Sequence, residues 1–469
     1  MALLALVNFS ESDLCQAPGS IKVSIFMSKI RQWLDSNEFF ITWGFWIAFV
    51  ALFLIHWFYV GYYAVNAPLA DEWPVMFSPD RVAKPFTWSW VFEFNNEHQT
   101  VPTKLEVWLN YILFDVNLRY QIIFNFSLYG ITLWGAFKVF KTSGLPRLIP
   151  VSFLIFALAD NDFNNFHWAI QSQWHCFFFA FIWGVYFLFR NPIVQTKDLL
   201  IASLFFILSS WSFASGVVLS GVGIASFIVH RVLMRVLDQK RIAWKQILLF
   251  LILPFVLSTW LWASGYHSPE LHPQYVWPWQ SRFWSFLSAL LSWIFGVEAR
   301  SDLWSTLGLG FTTLGFVMVI REYVQKRNWQ LGMLLAFSFG FLACLASIAM
   351  GRGGFGTSMA KVSRYYSIAI LLLPLIAYGV RRIPRYGFKL SLLLWLLCLW
   401  GHRDNFNYKK TYKDIAVRMT KGLNCTVRDL SQASCEGSIF GGDTSKYWNF
   451  AKEKGLSFTK GPFPLPLPE

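Results

Sequence analysis

The chain has 469 residues, of which 55% are hydrophobic, 19% aromatic and only 14% charged, with a formal net charge of +14. So little polar surface cannot cover a water-soluble domain of this length, which excludes that class and implies a polytopic, all-α membrane protein. The basic residues fall in short clusters between apolar runs, where the positive-inside rule accounts for them, so the charge does not argue for a nucleic-acid partner.

The opening MALLALV run is too short for the apolar core of a cleavable signal and has no basic region before it. Residues 1–38 therefore read as a cytoplasmic segment and 39–62 as an uncleaved first span. Apolar segments of roughly the length needed to cross about 30 Å then recur at 120–137, 145–159, 174–189, 199–213, 216–232, 247–263, 303–320, 331–350, 366–380 and 390–400, a bundle of about eleven spans. Residues 39–400 form the transmembrane domain of this reading and 401–469 a small outer tail.

Charge orients the bundle. Lys22, Lys29 and Arg31 precede the first span, Lys138, Lys141 and Arg147 follow the second, and Arg231, Arg235, Lys240, Arg241 and Lys245 follow the sixth. Arg321, Lys326 and Arg327 follow the eighth, and Arg381, Arg382, Arg385 and Lys389 follow the tenth. All lie on one side if the N-terminus is cytoplasmic. That parity requires 282–295, an apolar stretch, to lie along the interface as an amphipathic helix. The loops 64–119, 160–167, 266–280 and 351–364 and the tail then face outward, as expected for an integral protein of a bacterial inner membrane with its active site outside. Cys425 and Cys435 in the tail can pair if that side is oxidising, whereas Cys176, Cys344 and Cys398 lie in spans as packing thiols.

The first outer loop is broken by Pro68, Pro74, Pro79, Pro85 and Pro102, while Leu105, Trp108, Leu109, Ile112 and Leu113 recur at helical spacing, so it reads as amphipathic elements lying on the membrane. At its start, Asp71-Glu72-Trp73 keeps carboxylates beside lipid, where ionisable groups are costly unless used. A carboxylate near apolar walls and a second negative charge holds protons more tightly, which suits a general base; a solvated loop acid is the plainer alternative. Glu97-His98 is suited to binding a metal, positioning a sugar hydroxyl or capping a helix. Without further ligands at recognisable spacing, positioning is preferred to a metal, and neither a metal nor a cofactor is expected.

The second outer turn, NDFNNFHWAIQSQWH, gathers Asp160, Asn161, Asp162, Asn165, His167, Gln171 and Gln173 beside Trp168 and Trp174. Pyranose faces stack on aromatics and hydroxyls bind amides, so this is a candidate sugar-binding surface; helix capping with an interfacial aromatic belt explains the same residues. The third cluster, GRGGFGTSMAKVSRYY, places Arg352, Lys361, Arg364 and Tyr365 on the face where few basic residues belong. Glycines and forked guanidinium groups suit a phosphate, and arginines that anchor helix ends in anionic lipid are the alternative.

The DEW acid motif, the amphipathic first outer loop, the NNFHWAIQSQW turn and the GRGGFG to SRYY element together resemble the GT-C superfamily of polytopic glycosyltransferases, over most of the membrane part to about residue 380. The resemblance implies a GT-C-like bundle and an inverting, metal-independent transfer of sugar from a polyprenyl-phosphate-linked donor to a lipid-linked or glycan acceptor, with membrane lipids around it. Asp71 is then the first candidate for the catalytic acid and Glu72 the second. A transporter or flippase of lipid-linked saccharides is the alternative function, although no internal repeat supports it.

Overall fold

The computed structural model describes residues 20–70, 72–76, 87–95, 97–238, 243–266, 273–296, 301–326, 328–428, 445–461 and 463–468. The described residues are 80% helical. The helices are, in order, α1 (Ser20–Tyr62), α2 (Glu72–Met76), α3 (Trp88–Phe92), α4 (Val101–Phe114), α5 (Leu118–Thr142), α6 (Leu148–Ala157), α7 (Phe163–His167), α8 (Ser172–Phe189), α9 (Thr196–Ser210) and α10 (Ala214–Asp238). The second half contributes α11 (Trp244–Ile247), α12 (Leu253–Ser264), α13 (Ser281–Leu291), α14 (Asp302–Lys326), α15 (Trp329–Arg352), α16 (Tyr366–Ile370), α17 (Leu373–Arg381), α18 (Gly387–Gly401), α19 (Tyr408–Arg428) and α20 (Ser445–Glu453). Among the described residues the one strand pair is a hairpin of two residues a side, β1 (Phe94–Asn95) with β2 (His98–Gln99).

Among the described residues, seven helices are long and apolar enough to cross a membrane, and eight if the pair Ser363–Ile370 and Leu373–Arg381, bent by 43°, is one span. All eleven apolar segments of the sequence are helical, but α6, α9 and α18, at 10, 15 and 15 residues, are short for a bilayer. This is an all-α membrane protein. The stretch read as interfacial forms α13 and a following 3₁₀ turn, Ser292–Phe295, and it turns Phe283, Phe286, Leu287 and Leu290 inward.

Burial separates centre from rim. In α8, 72% of the spanning window is buried, against 11% in α1, whose Trp43, Ile47, Leu54 and Phe58 point outward. Phenylalanine rings fill the middle: Phe178 and Phe181 of α8 meet Phe341 of α15, and Phe140 of α5 meets Phe337. Where α14 crosses α17, Gly315 faces Gly379, and a Cβ on Gly379 would stand 2.2 Å from the Gly315 carbonyl oxygen. Small residues that let helix backbones approach are a recurrent device of membrane packing.

The tail is part of the packed structure. Tyr412 of α19 hydrogen-bonds to His56 of α1 at 2.5 Å, Thr411 donates to Asp160, and Tyr408 donates to the Leu158 carbonyl at 2.8 Å. Farther on, Trp448 and Phe458 pack on Trp73, and Ser457 binds the backbone of Asp115 and Val116. The Gly379→Val variant should unfold at lower temperature in detergent, by the equivalent of about 1–3 kcal/mol; an unchanged midpoint would show that the α14–α17 crossing can open without cost.

Candidate functional site

The first outer loop is anchored residue by residue. Asn66 accepts from Leu118 N–H at 2.9 Å and donates to Ser457 at 2.9 Å, and Arg119 donates to the Ala64 carbonyl at 3.0 Å. Both carboxylate oxygens of Glu72 take backbone N–H groups, from Leu69 at 2.6 Å and from Ile170 at 2.7 Å, and Trp168 donates to the Leu69 carbonyl at 3.0 Å. Ala70, between those ties, has a left-handed backbone with φ of 47°. A non-glycine residue is held there only when its surroundings over-determine it, and the Glu72 carboxylate is the group that does so. Asp71 lies outside the described residues.

Farther along the loop, Lys104 is buried and donates to the carbonyls of Trp90 and Glu93, closing the end of α3. In α4 the polar Thr103, Lys104 and Asn110 face the protein while Leu109, Ile112 and Leu113 are exposed. The hairpin then delivers Glu97 and His98. His98 stacks on Phe213 with centroids 3.8 Å apart, and its Nδ1 accepts the N–H of Ala214, the first residue of α10, at 3.2 Å. The ring proton is then on Nε2, which faces Glu97 Oε1 at 3.4 Å. Glu97 Oε1 also pairs with Arg352, at the C-terminal end of α15, at 2.6 Å.

These side chains line one cavity of about 270 Å³. Its charged wall is Glu97, Arg352 and Arg364; His98, Gln171, Gln173, Ser215 and Ser347 add polar groups; and Trp168, Trp174, Phe213, Trp262, Tyr266 and Tyr365 form the aromatic wall. Arg364 sits in a 3₁₀ turn, Ser363–Tyr365, with its guanidinium 5.4 Å from the Tyr365 ring and a buried Nε that finds no acceptor among the described residues. Asn165 holds that turn by donating to Asp162 at 2.6 Å and to the Arg364 carbonyl at 3.0 Å. A hydroxyl pair joins Tyr266 to Tyr275 at 2.8 Å across the mouth. Burial and the Tyr275 hydroxyl raise the affinity of Tyr266 for its proton.

No protein-family model matches the chain, and no curated protein matches it. The chemistry is therefore read from the side chains alone.

Of the residues singled out in the sequence, Glu97, His98, Arg352, Arg364 and Tyr365 meet in the cavity, together with Gln171, Gln173, Trp168 and Trp174 of the second turn. Glu72 stands behind its wall, tied to Ile170, while Asn165 supports Arg364 from outside. His167 faces the tail, with its ring stacked on Tyr412, 4.7 Å between centroids, and burial lowers its pKa to about 3. Lys361 lies in the turn Met359–Lys361 and is not among the lining residues. Phe213, Trp262 and Ser347 were not legible as site residues, because each reads as part of the end of an apolar span, and Tyr266 reads only as the first residue of a loop. Trp262 and Tyr266 stand one helical turn apart at an outer helix end, the one pattern that points to them.

A second acid outside the spans is buried. Glu106 in α4 keeps both oxygens away from solvent beside Ser172 and Gln121, and burial pushes its pKa up to about 8. In the unfolded chain the group loses its proton near pH 4, so its contribution to stability is complete below about pH 4 and is lost as the pH rises to about 8. The stability of Glu106→Gln relative to the parent should therefore climb across that window and stay level above it, read as thermal midpoints from pH 4 to 9; a constant difference would refute the buried-acid assignment. Glu72→Ala should lower stability by about 3 kcal/mol by stranding two N–H groups, and an unshifted midpoint would count against the carboxylate tie.

Proposed function

We propose that the protein is an inverting, GT-C-type membrane glycosyltransferase that moves a sugar from a polyprenyl-phosphate donor to a lipid-linked or cell-surface glycan acceptor on the non-cytoplasmic face. The observation that carries this reading is one cavity in which a carboxylate and an imidazole from the 64–119 loop and two guanidinium groups from the end of α15 and the α15–α16 connection meet indole and phenol rings of Trp168, Trp174, Trp262, Tyr266 and Tyr365. Anion, hydroxyl and pyranose-face recognition are all provided for in one place.

Other features agree with it. On this reading the seven long helices, the bent pair and the three short helices α6, α9 and α18 are the eleven spans. The outward apolar face of α4 suits a helix seated against lipid. Cys425 is disulfide-bonded, which suits an oxidising outer compartment, and Cys435 lies outside the described residues.

In the proposed reaction the acceptor hydroxyl oxygen attacks the anomeric carbon, the bond from that carbon to the phosphate oxygen breaks, and the phosphate leaves with the electron pair. Arg364, whose Nε finds no acceptor among the described residues, and Arg352 stabilise the charge that develops on the leaving phosphate. Glu97 and His98 orient sugar hydroxyls, and Asp71 takes the acceptor proton from the opposite face. Glu72 then serves as the brace that ties Leu69 to Ile170.

Purified protein in lipid nanodiscs, given a labelled polyprenyl-phosphate sugar and lipid-linked or glycan acceptors, tests the reading. Transfer is expected; movement of the donor between leaflets without transfer would assign transport instead. Asp71→Asn should reduce transfer by roughly a hundredfold or more, with its thermal midpoint unchanged. Arg364→Ala should weaken donor binding by roughly ten- to a hundredfold and acceptor binding far less; an unchanged donor dependence would overturn the phosphate role.

A further inference from the structure

Beside the main cavity lies a second, more open one of about 440 Å³, and Pro273 and Tyr275 line both. The wall between them is fixed. Val276 N–H donates to the Met350 carbonyl at 2.9 Å, and Gly354 lies so close to Pro273 that a Cβ would stand 2.5 Å from the proline Cβ. The outer cavity is polar, with Gln274, Gln280, Ser281 and Arg282 in its lining. Arg282 is exposed and makes no ion pair among the described residues. Between Val276 and Gln280 the chain carries Trp277 and Trp279, whose rings stack at 5.2 Å with planes only 2° apart, and Trp279 is 77% exposed. Gln280 Oε1 accepts the Trp277 N–H at 2.7 Å and so fixes the segment that carries the pair.

We infer that this outer cavity is a saccharide-binding subsite, which holds an extended oligosaccharide and leads its end past Tyr275 into the main cavity. Indole faces pack against the C–H faces of pyranoses, while amide and guanidinium groups take the ring hydroxyls. A seat in the bilayer interface would use the same tryptophans, but it gives no role to a polar recess lined by two amides, a hydroxyl and a guanidinium. The inference rests on the glycosyltransferase reading for its purpose, since the oligosaccharide is then the acceptor, but the binding itself is independent of transfer.

The test uses the full chain in nanodiscs with cellohexaose, maltohexaose and the hexamer of N-acetylglucosamine as probes, followed by saturation-transfer NMR and tryptophan fluorescence. Saturable binding of at least one hexasaccharide is expected. It should weaken at least tenfold in Trp279→Ala and in Arg282→Ala, whose exposed side chains leave the thermal midpoint unchanged. Binding of none of the three, or equal binding by the parent and both variants, would overturn the subsite. Quenching of these tryptophans by brominated lipid, undiminished by any sugar, would assign the segment to the bilayer instead. Hexasaccharide binding without any transfer from the labelled donor would sink the enzymatic reading and leave this subsite standing.

Discussion

Glu97 and Arg352 belong to segments 255 residues apart, and their contact at 2.6 Å joins the hairpin to the end of α15 at one cavity. Their side chains are only 15% and 23% exposed. Removing two charges from water is costly, and the cost is offset only when geometry and further hydrogen bonds are good. Here the hairpin fixes the carboxylate, the end of α15 fixes the guanidinium, and His98 adds a second positive edge to Glu97 while capping α10. The arrangement is therefore reciprocal: loop, helix end and cap are held by the same few atoms, and disturbing one moves the others.

The same economy holds the described part of the 64–119 loop. Its backbone has few partners of its own, so buried side chains supply them: Glu72 for Leu69 and Ile170, Asn66 for Leu118, Lys104 for the end of α3. A buried lysine or glutamate is tolerated because backbone groups meet it on the side away from water. Each anchor is also a site at which one substitution would free a long stretch of chain.

Much of this architecture can be read from the sequence, and the remainder is hidden for identifiable reasons. Apolar runs mark all eleven helical segments, yet periodicity says nothing about whether a helix as short as α6 crosses a bilayer, and Pro374 marks a break in the 366–380 run without giving its angle of 43°. Arg352 and Arg364 stand out because the sequence reading puts them on the side where few basic residues belong, and they do meet in the cavity. Asn165 and His167 belong to the same polar run as Gln171, but the run folds as short turns, so its side chains alternate between the cavity and the tail. Nothing in local composition sets that alternation. The tail reads as polar and basic, and only its tertiary partners, His56, Asp160 and Trp73, reveal it as part of the packed core.

The bond between His56 and Tyr412 joins positions 356 residues apart. A ribosome adding residues in chain order would need roughly 20–70 s to reach the second partner after making the first. Throughout that interval an imidazole belonging to the first hydrophobic helix stays without its phenol, and the protein-insertion machinery must shelter it. Products terminated early would therefore be defective at their opposite end, which gives cellular quality control a clear mark by which to recognise them.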